Sequence, residues 1–167
     1  IYANLSALPG LNMRGVALHI GSQLTSLEPL ETAFGKIGKL IVEMRGSGHR
    51  VSHVDLGGGL GVKYKAEDNP PHPDDYGAMV ARVTRDWGVQ LMFEPGRVIC
   101  GNAGVLVTSI IRVKPGSGNL PFVIVDAAMN DLARPAMYGS WHDFDAVQPS
   151  GNRMVGNIVG PICETGD

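Results

Sequence analysis

Val54-Asp55-Leu56-Gly57-Gly58-Gly59-Leu60-Gly61 is the stretch on which the fold turns. The run from Val51 to Leu56 suits a buried strand, and the glycines suit a strand-to-loop turn. With no Cβ in the way, such a backbone takes positive φ and approaches a ligand closely. Successive exposed N–H groups in a loop of this kind make a concave site for phosphate. A tight turn without a ligand explains the glycines equally well. The neighbours decide between the two.

Downstream, 63–73 is polar and proline-rich, a surface excursion. Tyr76, Met79 or Val80, Val83 and Trp87 then mark a helix, and Val89 to Phe93 a strand ending in Glu94-Pro95-Gly96-Arg97. Upstream, Leu30, Phe34, Ile37, Ile41 and Met44 form a helical stripe that stops at Gly46 and Gly48. Thr25-Ser26-Leu27-Glu28 has the form of a capping box before it, and Pro29 suits a first turn. Before that, 14–23 reads as a short strand ending in the polar loop His19-Ile20-Gly21-Ser22-Gln23, and 1–10 as a helix end with a Pro-Gly turn. Strand, loop and helix therefore repeat, with a polar motif at each strand's C-terminal end. That alternation implies an α/β fold with a parallel sheet, whose function gathers at that edge.

Near residue 104, after a short helical stretch at 99–104, the texture changes. Val105 to Val113, Phe122 to Asp126 and Met154 to Ile162 are strand candidates with no long helix between them. The expected division is an α/β region over 1–104 and the start of a β-rich domain over 105–167.

The 167 residues suffice for one ordinary domain. A net charge of −2 gives no reason to expect nucleic acid or another polyanion as partner, and no apolar stretch approaches the ~20 residues of a membrane helix. Cys100 and Cys163 offer neither a disulfide framework nor metal-ligand spacing, which fits a reducing, cytoplasmic compartment. Cys100 follows an apolar pair and reads as core. The chain starts at Ile1 and stops in Cys-Glu-Thr-Gly-Asp, so the expectation is an internal piece of a longer protein.

Five motifs in order, HIGSQ at 19–23, DLGGGLG at 55–61, EPGR at 94–97, DAAMNDLARPAMY at 126–138 and CETGD at 163–167, resemble the alanine-racemase-like pyridoxal-phosphate decarboxylases, the diaminopimelate decarboxylase family above all. The resemblance covers almost the whole chain. It implies the last part of a pyridoxal-phosphate-binding (β/α)8 TIM barrel followed by part of a C-terminal β domain. It also implies a small amino-acid substrate and a homodimer with a shared active site. Three βα units cannot close an eight-fold barrel, so the sheet edges stay open.

By this resemblance His19 lies against the cofactor ring; otherwise it is a buried histidine bonded to a carbonyl. Ser22, Gly58, Gly59 and Gly96 resemble the phosphate cradle. Glu94 resembles the partner of the pyridine nitrogen, keeping the ring protonated as an electron sink; otherwise it caps a turn. Arg97, also counted with the cofactor contacts, joins Arg134 and Tyr138 in resembling the substrate-binding set, since guanidinium forks match carboxylates. A solvated surface arginine is the alternative for Arg134. Glu164 would take the substrate's distal ammonium. Cys163 resembles the proton donor, contributed from the neighbouring subunit; thiols are mostly protonated at neutral pH and able to donate. Its alternative is a small buried hydrophobe.

The family's cofactor-linking lysine has no counterpart. Lys36 and Lys39 fall on a helix, Lys63 and Lys65 in a polar loop, and Lys114 in a turn before Pro115. The family's late tyrosine is also missing, so this chain by itself is expected to be inactive. The reading is decarboxylation of meso-diaminopimelate to L-lysine by the complete protein. A sister decarboxylase of arginine, ornithine or carboxynorspermidine, or a non-catalytic homologue, stays open as an alternative.

Overall fold

Three short strands, Gly15–Ala17 (β1), His53–Asp55 (β2) and Gln90–Met92 (β3), lie side by side in a parallel sheet of order β1-β2-β3. This is a computed structural model, which describes residues 2–151 and 154–167. The register sets Ala17 beside Asp55 and Asp55 beside Met92. All three strands therefore end at the same level, and the loops that follow them emerge along one edge. Each strand is only three residues long, shorter than the apolar runs suggest.

Glu28–Gly46 (α1) and Pro73–Thr84 (α2) link the strands. The expected stripe faces inward: Leu30, Phe34, Ile41 and Met44 are buried, and Ile37 packs against the same core. Val51, Val54 and Leu56, from β2 and its flanks, and Met79, Val80 and Trp87 complete it. Each fully buried side chain of this size contributes about 1.5–3 kcal/mol relative to exposure. Glu28 and Glu31 in the first turn of α1 and Arg45 in the last complement the helix dipole.

The capping box does not form. Leu27, not Thr25, occupies the N-cap, with no side-chain cap bond, and Ser26 Oγ instead accepts from the Glu28 N–H at 3.3 Å. Thr25 sits too far ahead of the first turn to reach it. Two tertiary contacts hold α1 against its neighbours. Gly38 leaves room for the Trp87 indole, whose Nε1 lies 2.9 Å from where a Cβ would stand. Arg45 donates to the carbonyls of Trp87 at 2.7 Å, Val51 at 3.0 Å and Gly88 at 3.2 Å, tying the helix end to the entries of β2 and β3.

Residues 2–7 form a 3₁₀ helix, and Ile1 lies outside the described residues. Arg97–Cys100 (α3) is a single turn that buries none of its residues. Cys100 is exposed, not core as its apolar neighbours suggest: Ile99 beside it is itself 67% exposed, so that pair marks no buried face.

The residues up to Lys63 with Asp68–Gly104 make one compact unit, and Tyr64–Glu67 with Val105–Asp167 make a second. In the second, Ile110–Lys114 (β4) pairs antiparallel with Phe122–Val125 (β5), which pairs parallel with Asn157–Val159 (β6). Lys114 closes β4 and sets its Nζ 5.9 Å from the Phe122 ring centroid, so it is not a turn residue. Residues 105–109 stay outside the strand. Asp126 secures this stretch: one carboxylate oxygen accepts from the Thr108 hydroxyl at 2.5 Å and the Ser109 N–H at 2.8 Å. Those bonds hold its carboxyl below the usual range. Arg134–Tyr138 (α4) is a short helix missed by the sequence reading, closed by Gly139 in the left-handed region (φ 60°). No helix among the described residues is long and apolar enough to cross a membrane.

Candidate active site

The loops after β1, β2 and β3 are laced together by backbone. Leu18 N–H donates to Asp55 O (3.0 Å), Leu56 N–H to Met92 O (2.9 Å), Glu94 N–H to Gly57 O (2.8 Å) and Leu24 N–H to Gly59 O (2.9 Å). The three consecutive glycines are where these loops cross. A Cβ on Gly57 would collide with the Leu18 carbonyl, one on Gly58 with the Glu94 carbonyl, and one on Gly59 with the Gly21 carbonyl. Gly57 and Gly59 also hold φ of 66° and 104°, which other residues rarely adopt. Close loop packing thus explains the absent side chains. The Gly57 N–H is taken by the Asp55 carboxylate at 2.8 Å. The N–H groups of Gly58 and Gly59, both half-buried, have no partner among the described residues. Two adjacent amides without a protein acceptor suit an anion, because a buried donor left unmatched is unfavourable.

Around them stand the polar residues singled out from the sequence. His19 is exposed at the crossing, its Nδ1 3.3 Å from where a Gly57 Cβ would be, so it is not a buried, carbonyl-bonded histidine. Ser22, Glu94 and Gly96 are exposed on the same three loops, and half-buried Arg97 opens α3. The sheet therefore brings His19, Ser22, Gly58, Gly59, Glu94, Gly96 and Arg97 to one edge of one unit. Gln23 joins them and was given no role by the sequence reading. It holds a positive φ of 61°, and its amide Nε2 donates to Val62 O at 2.5 Å. Its Oε1 accepts from Val62 N–H at 3.2 Å and from Arg97 Nη1 at 3.0 Å. Only its place inside the HIGSQ run could have flagged it.

The remaining candidates lie in the second unit. Arg134 is not a solvated surface arginine: it is half-buried, its guanidinium carbon sits 5.1 Å from the Tyr138 ring centroid, and Nη2 donates to Ser140 Oγ at 3.4 Å. Its buried Nε has no partner among the described residues. Cys163 is exposed, so the small-buried-hydrophobe alternative fails, and Glu164 accepts from the Thr165 N–H and hydroxyl, each at 2.9 Å. Asp167 binds this terminal segment to the one before α4. Its carboxylate accepts from Met129 N–H and, at 2.6 Å, from Ile162 N–H. Asp167 ends the CETGD motif, and its bond to Met129 joins that motif to the one at 126–138, a link no local pattern signals.

The donors at the strand-end edge match a phosphate-bearing aromatic cofactor: two unpaired amides and a hydroxyl for the dianion, with an imidazole and a carboxylate alongside. The comparisons agree. Residues 1–101 match the family described as pyridoxal-dependent decarboxylase, pyridoxal binding domain. Over 167 residues the chain is 48% identical to a diaminopimelate decarboxylase of Zymomonas mobilis, with 99% of this chain and 39% of the relative covered. With that of Vibrio cholerae the identity is 43%, covering 100% and 40%. The crystal structure of a diaminopimelate decarboxylase from Helicobacter pylori complexed with L-lysine superposes with a TM-score of 0.85 at 36% identity, covering 94% of this chain and 39% of that one. The chain thus spans about two fifths of the length of the curated relatives it matches. With its parallel sheet, its glycine crossing and a family match over residues 1–101, the chain belongs to the pyridoxal-dependent decarboxylases.

Proposed function

We propose that the protein containing this chain decarboxylates meso-diaminopimelate to L-lysine with pyridoxal phosphate. The observation that carries the reading is the pair of Gly58 and Gly59 amides, unpaired among the described residues, set beside Glu94 on one strand-end edge. The diaminopimelate decarboxylases matching along the whole chain at 43–48% identity supply the substrate. Bound there, the cofactor supplies an electron sink for the pair released when a carboxylate leaves as CO₂.

The residues divide the work. Gly58, Gly59, Gly96 and Ser22 hold the phosphate with backbone donors and a hydroxyl. His19 would face the cofactor ring, and Glu94 would hold a proton at the ring nitrogen. Arg97 and Arg134 bind anionic oxygens, with the guanidinium of Arg134 over the Tyr138 ring. Glu164 takes the distal ammonium, so that an arginine and a glutamate together read an amino-acid head. The Cys163 thiol returns a proton to the α-carbon. In this reading residues 1–104 belong to a (β/α)8 barrel and 105–167 to a β domain. Cys163 and Glu164 act in the site of a second subunit of a cytoplasmic homodimer.

The test is turnover by the full-length protein, supplied with pyridoxal phosphate, of meso-diaminopimelate, ornithine, arginine and carboxynorspermidine. L-Lysine formed from the first substrate is the expected product. Arg134→Ala should lower kcat/KM roughly 10- to 150-fold, the loss of about 1.5–3 kcal/mol for a charged hydrogen-bonding partner. An unchanged rate would overturn the assignment of Arg134 to a substrate carboxylate, and no turnover of any substrate would favour a non-catalytic homologue.

A further inference from the structure

We propose that Gln23 is a positioning residue that orients the Arg97 guanidinium toward an anionic oxygen of the bound ligand, phosphate or carboxylate. This rests on the reading of Arg97 as a ligand contact. Three features single Gln23 out. It is one of two non-glycine residues with positive φ among those described, a conformation that the surrounding structure must hold in place. Its side chain crosses to the glycine loop and makes a two-way amide clasp with the Val62 backbone, which fixes the plane of the amide. With Nε2 committed to Val62 O, the Oε1 face has one orientation, and that face accepts from Arg97 Nη1.

The chemistry of the residue matters as much as its place. Arginine is always charged and presents a rigid fork, so its direction decides which oxygens it can meet. A carboxylate at position 23 would aim the fork equally well but would place a counter-charge on it and compete with an anionic ligand. A glutamine amide aims it while contributing no charge. The clasp to Val62 also puts Arg97 in register with the glycine loop, because residues 57–61 and Val62 are continuous backbone. Gln23 thus ties the β1 loop, the glycine loop and α3 at one point.

The experiment is a double-mutant cycle in the full-length protein between Gln23→Asn and Arg97→Ala. Asparagine tolerates positive φ but is one methylene short, so the backbone is retained while the amide is withdrawn. Gln23→Met, which keeps the length and loses both polar atoms, serves as the second variant should the first fold poorly. Four quantities are read: the Kd of the apo-protein for pyridoxal phosphate by absorbance titration, the KM and the kcat for meso-diaminopimelate, and the thermal midpoint. The expected result is a rise of about tenfold in the cofactor Kd or in the substrate KM with Gln23→Asn, with kcat within twofold. A change in the first locates the anion on the phosphate, and a change in the second on the substrate carboxylate. In the Arg97→Ala background the Gln23→Asn effect should vanish. Effects that simply multiply would overturn the proposal and leave Gln23 as a staple of the Val62 loop. So would a lowered thermal midpoint with Kd and KM unmoved. If Arg97→Ala itself changes neither constant, the reading of Arg97 fails and takes the proposal with it.

Discussion

Replacing Gly58 by alanine tests the loop crossing directly, because Gly58 does not hold a left-handed φ and the substitution introduces only a contact. The new Cβ would stand 3.0 Å from the carbonyl carbon of Glu94 and closer still to its oxygen. The oxygen sets the demand: carbon–oxygen contacts lie at about 3.3–3.6 Å, so the Glu94 carbonyl must retreat by more than about 1 Å. Glu94 is tethered to the same loop, since its N–H donates to Gly57 O at 2.8 Å, and the retreat strains that bond. Overpacking of this kind costs about 1–3 kcal/mol of stability. A misplacement near 1 Å at a reacting group costs on the order of 100-fold in rate, about 2.7 kcal/mol. Gly58→Ala in the full-length protein should therefore lower kcat/KM by one to two orders of magnitude and weaken cofactor binding. Its urea midpoint should fall modestly. Decarboxylation kinetics, a cofactor titration and equilibrium unfolding measure the three. A variant with kcat/KM and cofactor Kd both within twofold of the parent would show that the crossing does not set the position of Glu94, and the reasoning would fail.

Gly35→Ala supplies the contrast: this helical glycine has nothing within 4 Å of the new Cβ, so the change should stabilise the protein by about 1 kcal/mol in urea unfolding. Arg45→Lys breaks the fork that meets three carbonyls, and the same assay should show a loss of about 1 kcal/mol with activity retained. Asp126 is held below the ordinary carboxylate range first by the Thr108 hydroxyl and then by the Ser109 N–H. A depressed folded-state value means that its stabilisation is complete above the unfolded pKa, near 3.9, and disappears as pH falls through the folded one. Asp126→Asn should flatten that part of the stability curve when unfolding is followed between pH 2 and 6; parallel curves would refute the assignment.

The α/β alternation was readable because α1 and the strands it joins each bury one side. A helix stripe at Leu30, Phe34, Ile41 and Met44 and a short apolar run at Val54 follow from burial alone. The N-cap was not readable, because Thr25-Ser26-Leu27-Glu28 satisfies the capping pattern locally while the helix starts at Glu28 behind Leu27 with no side-chain cap bond. Cys100 misled for a related reason. An apolar neighbour signals core only when the element has a buried face, and α3 has none. Arg134 beside Pro135 gave no local sign of its contact with the Tyr138 ring, since α4 is too short for periodicity to reveal it.

The sequence by itself determined which residues could serve: the order of the motifs, the βα rhythm, and the residue types that a phosphate and a carboxylate require. These depend on composition and spacing, which the chain states outright. Only the tertiary structure decided why Gly57, Gly58 and Gly59 are glycines, since the atoms that forbid a Cβ belong to Leu18, Glu94 and Gly21, distant in sequence. It alone assigned Gln23 and Asp167, whose hydrogen bonds reach Val62, Arg97 and Met129 across 38 to 74 residues. Such contacts are made by strand register and loop crossing, which no local pattern of side chains records.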